Sequence, residues 1–156
     1  AFIVSQVPLS DRDAKVLELK TGGAACIGKG PEGVFLDVKG QKIHMPNGRD
    51  VFIHACQYMA KLTVELMDRR GWSVDDLDYF IPHQANLRIS KKVAADLNLP
   101  MEKVVSNIQY LGNTGSAGCG IALSEHWQKL QVGDRFGMAV FGGGYSYGAM
   151  LLKVGE

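Results

Sequence analysis

The sequence lacks the features that mark membrane, secreted or nucleic-acid-binding proteins. No apolar run reaches the ~18 residues of a membrane span, and the first residues do not form the basic-then-apolar pattern of a signal peptide. Cysteine is scarce, and three cysteines without paired spacing argue against a disulfide framework. The net charge of +1 gives no whole-protein field for nucleic acid or anionic lipid. We therefore expect a cytoplasmic protein that binds neither nucleic acid nor a membrane.

Glycine, by contrast, is abundant. The 19 glycines cluster at Gly22-Gly23, at Gly28 to Gly33 and at Gly142 to Gly144. Such clusters mark turns whose backbone adopts conformations that other residues avoid. The remaining composition, 46% hydrophobic and 21% charged, is that of an ordinary globular domain. A chain of 156 residues is long enough for one domain with a sizeable core.

The hydrophobic pattern divides the chain at about residue 47. Residues 1–47 contain short β segments, predicted at 2–7, 16–19 and 34–38 and separated by turns rich in Gly, Pro and Asp. They are expected to complete the sheet of a single domain whose βα core spans residues 48–156.

Helices and strands alternate in the core. An amphipathic pattern predicts a first long helix that ends at Arg70. The following predicted elements are a strand at 78–82, a helix at 86–97, a strand at 103–106, a helix at 116–130 and a hairpin of 135–141 with 145–154. This alternation predicts an α/β fold of βαβαβαββ-type order, with a mixed, mostly parallel sheet, an antiparallel last strand and packed helices.

Two polar motifs follow predicted elements of this sheet. His83 lies in Pro82-His83-Gln84-Ala85-Asn86 and Asn113 lies in Gly112-Asn113-Thr114-Gly115-Ser116. Ligands usually bind beyond the carboxyl ends of the strands in such sheets. An imidazole, a carboxamide and a backbone N–H of the triple-glycine turn could together stabilise an enolate or oxyanion. Each motif also has an ordinary structural reading: a core histidine, a turn asparagine and a glycine hairpin.

Taken together, the motifs resemble a known family. The string from Asp78 to Arg88, then Gly112-Asn113-Thr114, then Phe141 to Gly148 resemble the C-terminal half of β-ketoacyl-acyl carrier protein synthase III, a thiolase-fold condensing enzyme. The resemblance runs from about Met45 to Val154, and the first ~40 residues match poorly. It implies one half of a thiolase-like fold.

The resemblance also implies a reaction, the decarboxylative Claisen condensation that starts fatty acid synthesis from acyl-CoA and malonyl carrier protein. His83 and Asn113 would hold the malonyl thioester oxygen, and the backbone N–H of Gly143 would stabilise a second oxyanion. His83 is expected to be neutral with its Nε2–H directed inward, because an imidazolium would favour retention of the malonyl carboxylate. Beyond these substrates, no cofactor or metal is expected.

The same resemblance assigns a carrier-protein surface. Its expected contacts with acyl carrier protein and its phosphopantetheine arm are Gln84, Ala85, Asn86, Leu87 and Arg88. The guanidinium of Arg88 could hold a carboxylate or phosphate with two hydrogen bonds, and Lys91 and Lys92 would extend the positive face unless they are only a solvated helix surface.

The family's nucleophilic cysteine belongs to the N-terminal half. Cys26 has small neighbours but lies too close to His83 in sequence, while Cys56 and Cys119 suit core packing. We therefore expect a half-molecule, inactive alone, that pairs with an N-terminal half and self-associates as a homodimer.

Two alternatives stay open. One is a non-catalytic, stand-alone thiolase-like subunit that binds carrier protein or a catalytic partner. The other is a compact acyltransferase that uses the thiol of Cys26 or Cys119. The role of the stretch from Gly28 to Lys42 is unassigned, and the acyl pocket would lie largely in the other half.

Overall fold

The structure, a computed structural model, describes residues 5, 7, 9–28, 35–45 and 47–155. Its strands are β1 (Ala14–Gly23), β2 (Phe35–Asp37), β3 (Lys42–His44), β4 (Tyr79–Pro82), β5 (Arg135–Gly142) and β6 (Ser146–Val154). Its α-helices are α1 (Ala25–Gly28), α2 (Gly48–Arg70), α3 (Leu87–Asp96), α4 (Ile108–Leu111) and α5 (Ala117–His126). Single 3₁₀ turns cover Val74–Asp76, Met101–Lys103 and Trp127–Lys129.

The long helix α2 confirms the predicted amphipathic segment. The side chain of Asn47 caps its start by accepting a hydrogen bond from the N–H of Asp50. Gly71 ends the helix with a φ of 65°, a left-handed conformation that glycine adopts without strain. Met59 and Leu66, on the apolar side of α2, are completely buried. This helix therefore provides the largest surface against which the sheet packs.

The main sheet has four strands in the order β1-β6-β5-β4. β4 and β5 are parallel, whereas β5 with β6 and β1 with β6 are antiparallel. The predicted mixed sheet packed with helices and its antiparallel last strand are confirmed, but antiparallel pairs outnumber parallel ones among the described residues. The predicted strand at 103–106 makes only a bridge between Val104 and Phe80. It goes no further because Ser106 and Asn107 form hydrogen bonds with a glutamine side chain instead.

The first segment differs in detail from its prediction. β1 is longer than the predicted 16–19 because it pairs with β6 along its whole length. The predicted strand at 34–38 is β2, which forms a separate antiparallel pair with β3. The predicted strand at 2–7 falls outside the described residues except for Ser5 and Val7, neither of which lies in a strand. At the other end of the chain, α5 stops earlier than predicted and continues as a 3₁₀ turn.

Apolar side chains cover both faces of the sheet. On one face, Phe80 and Leu151 belong to the cluster that includes the buried sides of α2 and α3. On the other face, Phe136 and Leu152 pack with Ala122 of α5. The alternation of side chains along β5 and β6 separates the two clusters, because successive residues point to opposite faces.

The face that carries α5 is only partly covered. Val16 and Leu19 pair with Leu152 and Met150 across the sheet, so they share the face of the second cluster. Their side chains remain exposed, at 54% and 56%, as does Val140 of β5 at 41%. We call these three residues the apolar strip.

Among the helices that the structure describes, none combines the length and the hydrophobicity that a membrane span requires.

Candidate active site

His83 and Gly143 follow neighbouring strand ends. Because β4 and β5 are parallel, their carboxyl ends lie at the same edge of the sheet. His83 comes directly after β4, and its backbone N–H donates a hydrogen bond of 2.7 Å to the carbonyl oxygen of Ala139 in β5. Three residues further along, β5 ends in the glycine turn that contains Gly143. The parallel pair therefore places the predicted imidazole donor and the predicted backbone donor at one edge.

The environment of His83 favours the neutral imidazole. Its side chain is partly buried, and this burial lowers the pKa of the ring below its ordinary value of 6.5. The cause is desolvation, which disfavours the charged form. At neutral pH the ring is therefore uncharged and has one N–H to donate. This agrees with the protonation state that the sequence predicts for His83.

Gln84 is buried, so its predicted contact with carrier protein is wrong. Its side chain has no exposed surface. Its Nε2 donates to the carbonyl oxygens of Pro82, at 2.6 Å, and Val105, at 3.4 Å. Its Oε1 accepts from the N–H groups of Asn107, at 3.0 Å, and Ile108, at 3.3 Å. The amide of Gln84 thus joins the end of β4 to the segment that leads to Asn113.

Asn113 lies in the exposed loop between α4 and α5. Its Oδ1 accepts a hydrogen bond of 2.9 Å from the N–H of Gly115, as in an Asx turn. This bond involves only Oδ1 of Asn113. The Nδ2–H groups are the hydrogen-bond donors of the side chain. No hydrogen bond joins the side chains of His83 and Asn113 among the bonds of the described residues.

The loop of Asn113 nevertheless lies close to the end of β4. A Cβ atom added to Gly118, in the first turn of α5, would stand 2.8 Å from Cβ of Gln84 and 3.3 Å from Oγ1 of Thr114. Gln84 follows His83 and Thr114 follows Asn113 in the sequence. Glycine at position 118 therefore allows the residues next to both predicted donors to approach each other.

The turn that contains Gly143 is anchored to α2. Gly142 pairs with Ser146, and the hydroxyl of Ser146 donates to the carbonyl oxygen of Gly143 at 3.0 Å. Tyr145 is 3% exposed, and its hydroxyl donates to Oδ2 of Asp50 at 2.8 Å. Burial, followed by the Asp50 carboxylate, raises the pKa of Tyr145 to about 12. This contact could not be predicted from local sequence patterns, because the two residues are 95 positions apart.

The remaining residues of the predicted carrier surface divide between the interior and the surface. Ala85 and Leu87 are partly buried, whereas Asn86 and Arg88 are exposed. Asn86 caps α3 by accepting from the N–H of Arg88 at 2.8 Å. The guanidinium of Arg88 lies 5.9 Å from the centre of the Phe52 ring. This arrangement leaves a cationic group and an amide at the exposed start of α3.

The two lysines of α3 differ in their partners. Lys92 forms an ion pair with Asp96 one turn later on the same helix, and Lys91 is exposed. The pairing partly neutralises Lys92, so Lys91 and Arg88 are the better candidates for contact with an acidic partner.

Two of the three cysteines are buried, and burial raises the pKa of both. Cys119 is 5% exposed, and its Sγ donates to the carbonyl oxygen of Pro82 at 3.4 Å. Burial raises the pKa of Cys119 to about 11, which opposes the alternative in which its thiolate acts as the nucleophile. Burial also raises the pKa of Cys56, which packs in the core as predicted. Cys26 is exposed on the single turn of α1.

Comparison with known sequences identifies the family of this chain. Residues 67–154 match the family model of the 3-oxoacyl-[acyl-carrier-protein] synthase III C terminal. The β-ketoacyl-[acyl-carrier-protein] synthase III of Phocaeicola vulgatus is 39% identical over 140 residues, which is 89% of this chain and 40% of that protein. The synthase III of Porphyromonas gingivalis is 40% identical over 137 residues, 88% of this chain and 40% of that protein. These alignments extend into the residues before Met45, beyond the range of the sequence motifs.

Solved structures give the same result for the fold. The crystal structure of 3-oxoacyl-[acyl-carrier-protein] synthase III from Aquifex aeolicus superposes with a TM-score of 0.82 at 34% identity, over 92% of this chain and 46% of that one. The enzyme from Pseudomonas aeruginosa superposes with a TM-score of 0.80 at 32% identity, over 90% of this chain and 44% of that one. The predicted thiolase-like half is thereby confirmed, and the chain spans less than half of these relatives. The chain belongs to the 3-oxoacyl-acyl carrier protein synthase III family, whose C-terminal part it matches.

Proposed function

We propose that this chain supplies the decarboxylation and oxyanion groups of a 3-oxoacyl-acyl carrier protein synthase III, and that the N-terminal half of the same enzyme supplies the nucleophilic cysteine. The observation that supports this most directly is the neutral, partly buried His83 at the sheet edge beside the glycine turn. Membership of the synthase III family supports a condensing reaction at this edge of the sheet. The proposed partners are acyl carrier protein and the N-terminal half.

In the proposed reaction, the malonyl thioester on carrier protein loses CO₂. The electron pair of the broken C–C bond moves toward the thioester carbonyl and forms an enolate. The ring N–H of His83 and the amide of Asn113 donate to the enolate oxygen as its negative charge develops. Such preorganised donors stabilise the transition state more than the ground state, because the negative charge on the thioester oxygen is larger in the transition state than in the bound substrate.

The enolate carbon then attacks the acyl thioester held by the cysteine of the other half. The carbonyl oxygen of that thioester becomes negative, and the backbone N–H of Gly143 donates to it. The C–S bond breaks, the thiolate leaves, and the 3-oxoacyl chain stays on carrier protein. Glycine suits this position because it lets the backbone come close to the thioester.

Carrier protein is proposed to bind at the start of α3. Acyl carrier protein is acidic, and Arg88 presents an exposed guanidinium that can hold a carboxylate or phosphate with two hydrogen bonds. Asn86 could contact the amides of the phosphopantetheine arm, since its side chain both donates and accepts. Gln84 takes no part in this contact because it is buried.

The test is to combine the chain with an N-terminal half of synthase III and to follow ¹⁴CO₂ release from malonyl carrier protein. His83→Ala and Asn113→Ala are each expected to lower the decarboxylation rate by a factor on the order of 10²–10³. The chain alone is expected to show no condensation. Gln128→Ala, an exposed change on the 3₁₀ turn after α5, serves as the control. Unchanged CO₂ release by His83→Ala would contradict the proposal.

A second candidate is a non-catalytic subunit that binds carrier protein. It is favoured by the exposure of Asn86 and Arg88. These side chains could bind carrier protein without a catalytic half. Calorimetric titration of the chain with acyl carrier protein separates the two. Binding that Arg88→Ala abolishes, combined with no CO₂ release in the presence of the N-terminal half, would support the second candidate over the first.

A further inference from the structure

We propose that Gln84 is a positioning residue that fixes the loop of Asn113 relative to His83. The inference rests on the proposed function, because it matters only if these two side chains act on the same thioester. Gln84 itself is buried and touches no substrate. Its effect would pass through the two segments that its amide joins.

The first segment is the end of β4. Nε2 of Gln84 donates to the carbonyl oxygen of Pro82, the residue directly before His83, at 2.6 Å. The same oxygen accepts from Sγ of Cys119 at 3.4 Å. The backbone N–H of His83 is in turn bound to Ala139. The backbone on both sides of the imidazole is therefore held in place.

The second segment leads into α4 and then to Asn113. Oε1 of Gln84 accepts from the N–H groups of Asn107 and Ile108 and from the hydroxyl of Ser106, all within 3.3 Å. Asn107 and Ile108 form the start of α4, whose single turn ends two residues before Asn113. One carboxamide oxygen thus sets where this turn begins.

A third contact closes the arrangement from the side of α5. Gly118 packs so closely on Gln84 that an added Cβ would stand 2.8 Å from its Cβ and 3.3 Å from its Cγ. Thr114 lies within 3.3 Å of the same point. The loop of Asn113 is therefore held at both of its ends by elements that contact Gln84.

The bonds at position 84 require a side chain that both donates and accepts. The side chain must donate at one end, toward Pro82, and accept at the other, toward Asn107 and Ile108. Methionine has a similar volume but makes neither kind of bond. An ionised glutamate accepts but cannot donate, whereas a protonated glutamate does both. In a Gln84→Glu variant, the bond to Pro82 should therefore form only at a pH at which the glutamate is protonated.

The test uses the chain combined with an N-terminal half of synthase III and measures two steps separately. CO₂ release from malonyl carrier protein reports the His83–Asn113 pair, and single-turnover acylation of the cysteine by acyl-CoA reports the other half. Gln84→Met is expected to lower the maximal decarboxylation rate about 10²-fold, as for a misplacement of about 1 Å. KM for malonyl carrier protein and the rate of acylation should change less than about twofold, because Arg88 and the other half are intact.

Gln109→Met is the matched control. Gln109 lies in α4, is exposed and accepts a hydrogen bond from the same hydroxyl of Ser106. Among the hydrogen bonds of the described residues, its side chain binds neither the carbonyl of Pro82 nor the N–H groups of Asn107 and Ile108. Decarboxylation by this control should equal that of the wild type.

Gln84→Glu gives the second readout and does not depend on the folding of the methionine variant. Burial raises the pKa of a carboxyl group, so this glutamate should become protonated as the pH falls from 8 toward 6. Its decarboxylation rate, as a ratio to wild type at each pH, should then increase. The titratable groups nearest to position 84 are His83, Cys119 at the carbonyl of Pro82, and Glu125, which accepts from Nδ2 of Asn107 at 3.2 Å. The ratio corrects for any pH dependence that the variant shares with the wild type.

Three outcomes would overturn the inference. Wild-type decarboxylation by Gln84→Met would show that the bonds do not set the site. An equal loss of acylation and decarboxylation, with a pH-independent ratio for Gln84→Glu, would assign Gln84 to folding alone. Absence of CO₂ release from the wild-type combination would contradict the proposed function as well. A decarboxylation rate that falls in His83→Ala but not in Gln84→Met would contradict only this inference.

Discussion

At the scale of single residues, burial sets the protonation states that matter. His83 and His126 both have a pKa lowered mainly by burial, and the positive charge of Lys129 lowers the pKa of His126 further. Cys119 shows the opposite response, with a pKa raised to about 11, because its charged form is the deprotonated one. One physical cause therefore keeps an imidazole available as a neutral donor and a neighbouring thiol inactive.

Because the pKa values of His83 and His126 are lowered, we expect the protein to lose stability in mild acid. In the unfolded chain a histidine has a pKa near 6.5, above that of the buried forms, so below this pH the unfolded state binds more protons. The stabilising contribution is complete above about pH 6.5 and declines as the pH falls, by at most about 1.4 kcal/mol per pH unit for each histidine. Urea denaturation between pH 8 and pH 5 measures the slope.

His83→Gln is the control for this prediction, since glutamine does not titrate. The slope below pH 6.5 should become shallower in this variant. The lowered carboxyl pKa values of Glu65 and Asp76 do not interfere, because those groups titrate below about pH 4.5. A constant free energy of unfolding from pH 8 to pH 5 would contradict the assignment.

At the scale of elements, the glycine turn depends on a partner distant in sequence. Triple glycine alone gives a flexible turn, since glycine loses the most conformational entropy on folding. Here the buried ring of Tyr145 and its bond to Asp50 tie the turn to the first turn of α2. The ring also lies against Phe141, with 4.9 Å between ring centroids, and against His54, at 5.4 Å. Aromatic packing thus supplies the order that the glycines lack.

Tyr145→Phe is expected to lower the free energy of unfolding by about 1 kcal/mol, because it removes the bond to Asp50 but keeps the ring. Amide exchange of the turn around Gly143 should become faster in the same variant. The control is Tyr110→Phe: Tyr110 is 66% exposed and donates to Glu125 at 2.9 Å. This surface bond should contribute less, since water replaces it. An equal loss in both variants would count against an anchoring role for Tyr145.

At the scale of the whole molecule, the apolar strip of Val16, Leu19 and Val140 lies beside a buried cluster, and its three side chains are exposed. Contiguous exposed apolar surface usually marks an interface. The chain spans about two fifths of the curated relatives that it matches. The strip is therefore the surface on which we expect another half, or a second copy of this chain, to pack.

The isolated chain is expected to self-associate as a dimer, and Leu19→Lys should shift it toward monomer in sedimentation velocity. A charge at this position would be buried in the interface without a partner, which is unfavourable. Val64→Lys on α2 is the control, because Val64 is also exposed, at 41%, but lies away from the strip. A wild-type monomer at all concentrations would contradict the prediction.

Much of the architecture follows from local sequence patterns. The helical spacing of apolar residues predicted α2 and α3, and turn residues bounded the final hairpin. The errors occurred where long-range pairing decides the outcome. β1 is longer than its pattern predicts because β6 pairs with all of it, and the strand predicted at 103–106 is reduced to one bridge because Gln84 binds the next residues.

The sequence by itself determined the family, the approximate limits of β4, β5 and β6 and the residue types at the candidate site, because these depend on motifs and short-range periodicity. Tertiary structure alone decided which of those residues are accessible. Gln84 and Arg88 are four positions apart in one motif, yet one is fully buried and the other is exposed. The reason is that burial and hydrogen-bond partners arise when distant segments meet, as the carbonyl of Pro82 and the N–H of Asn107 do at the amide of Gln84.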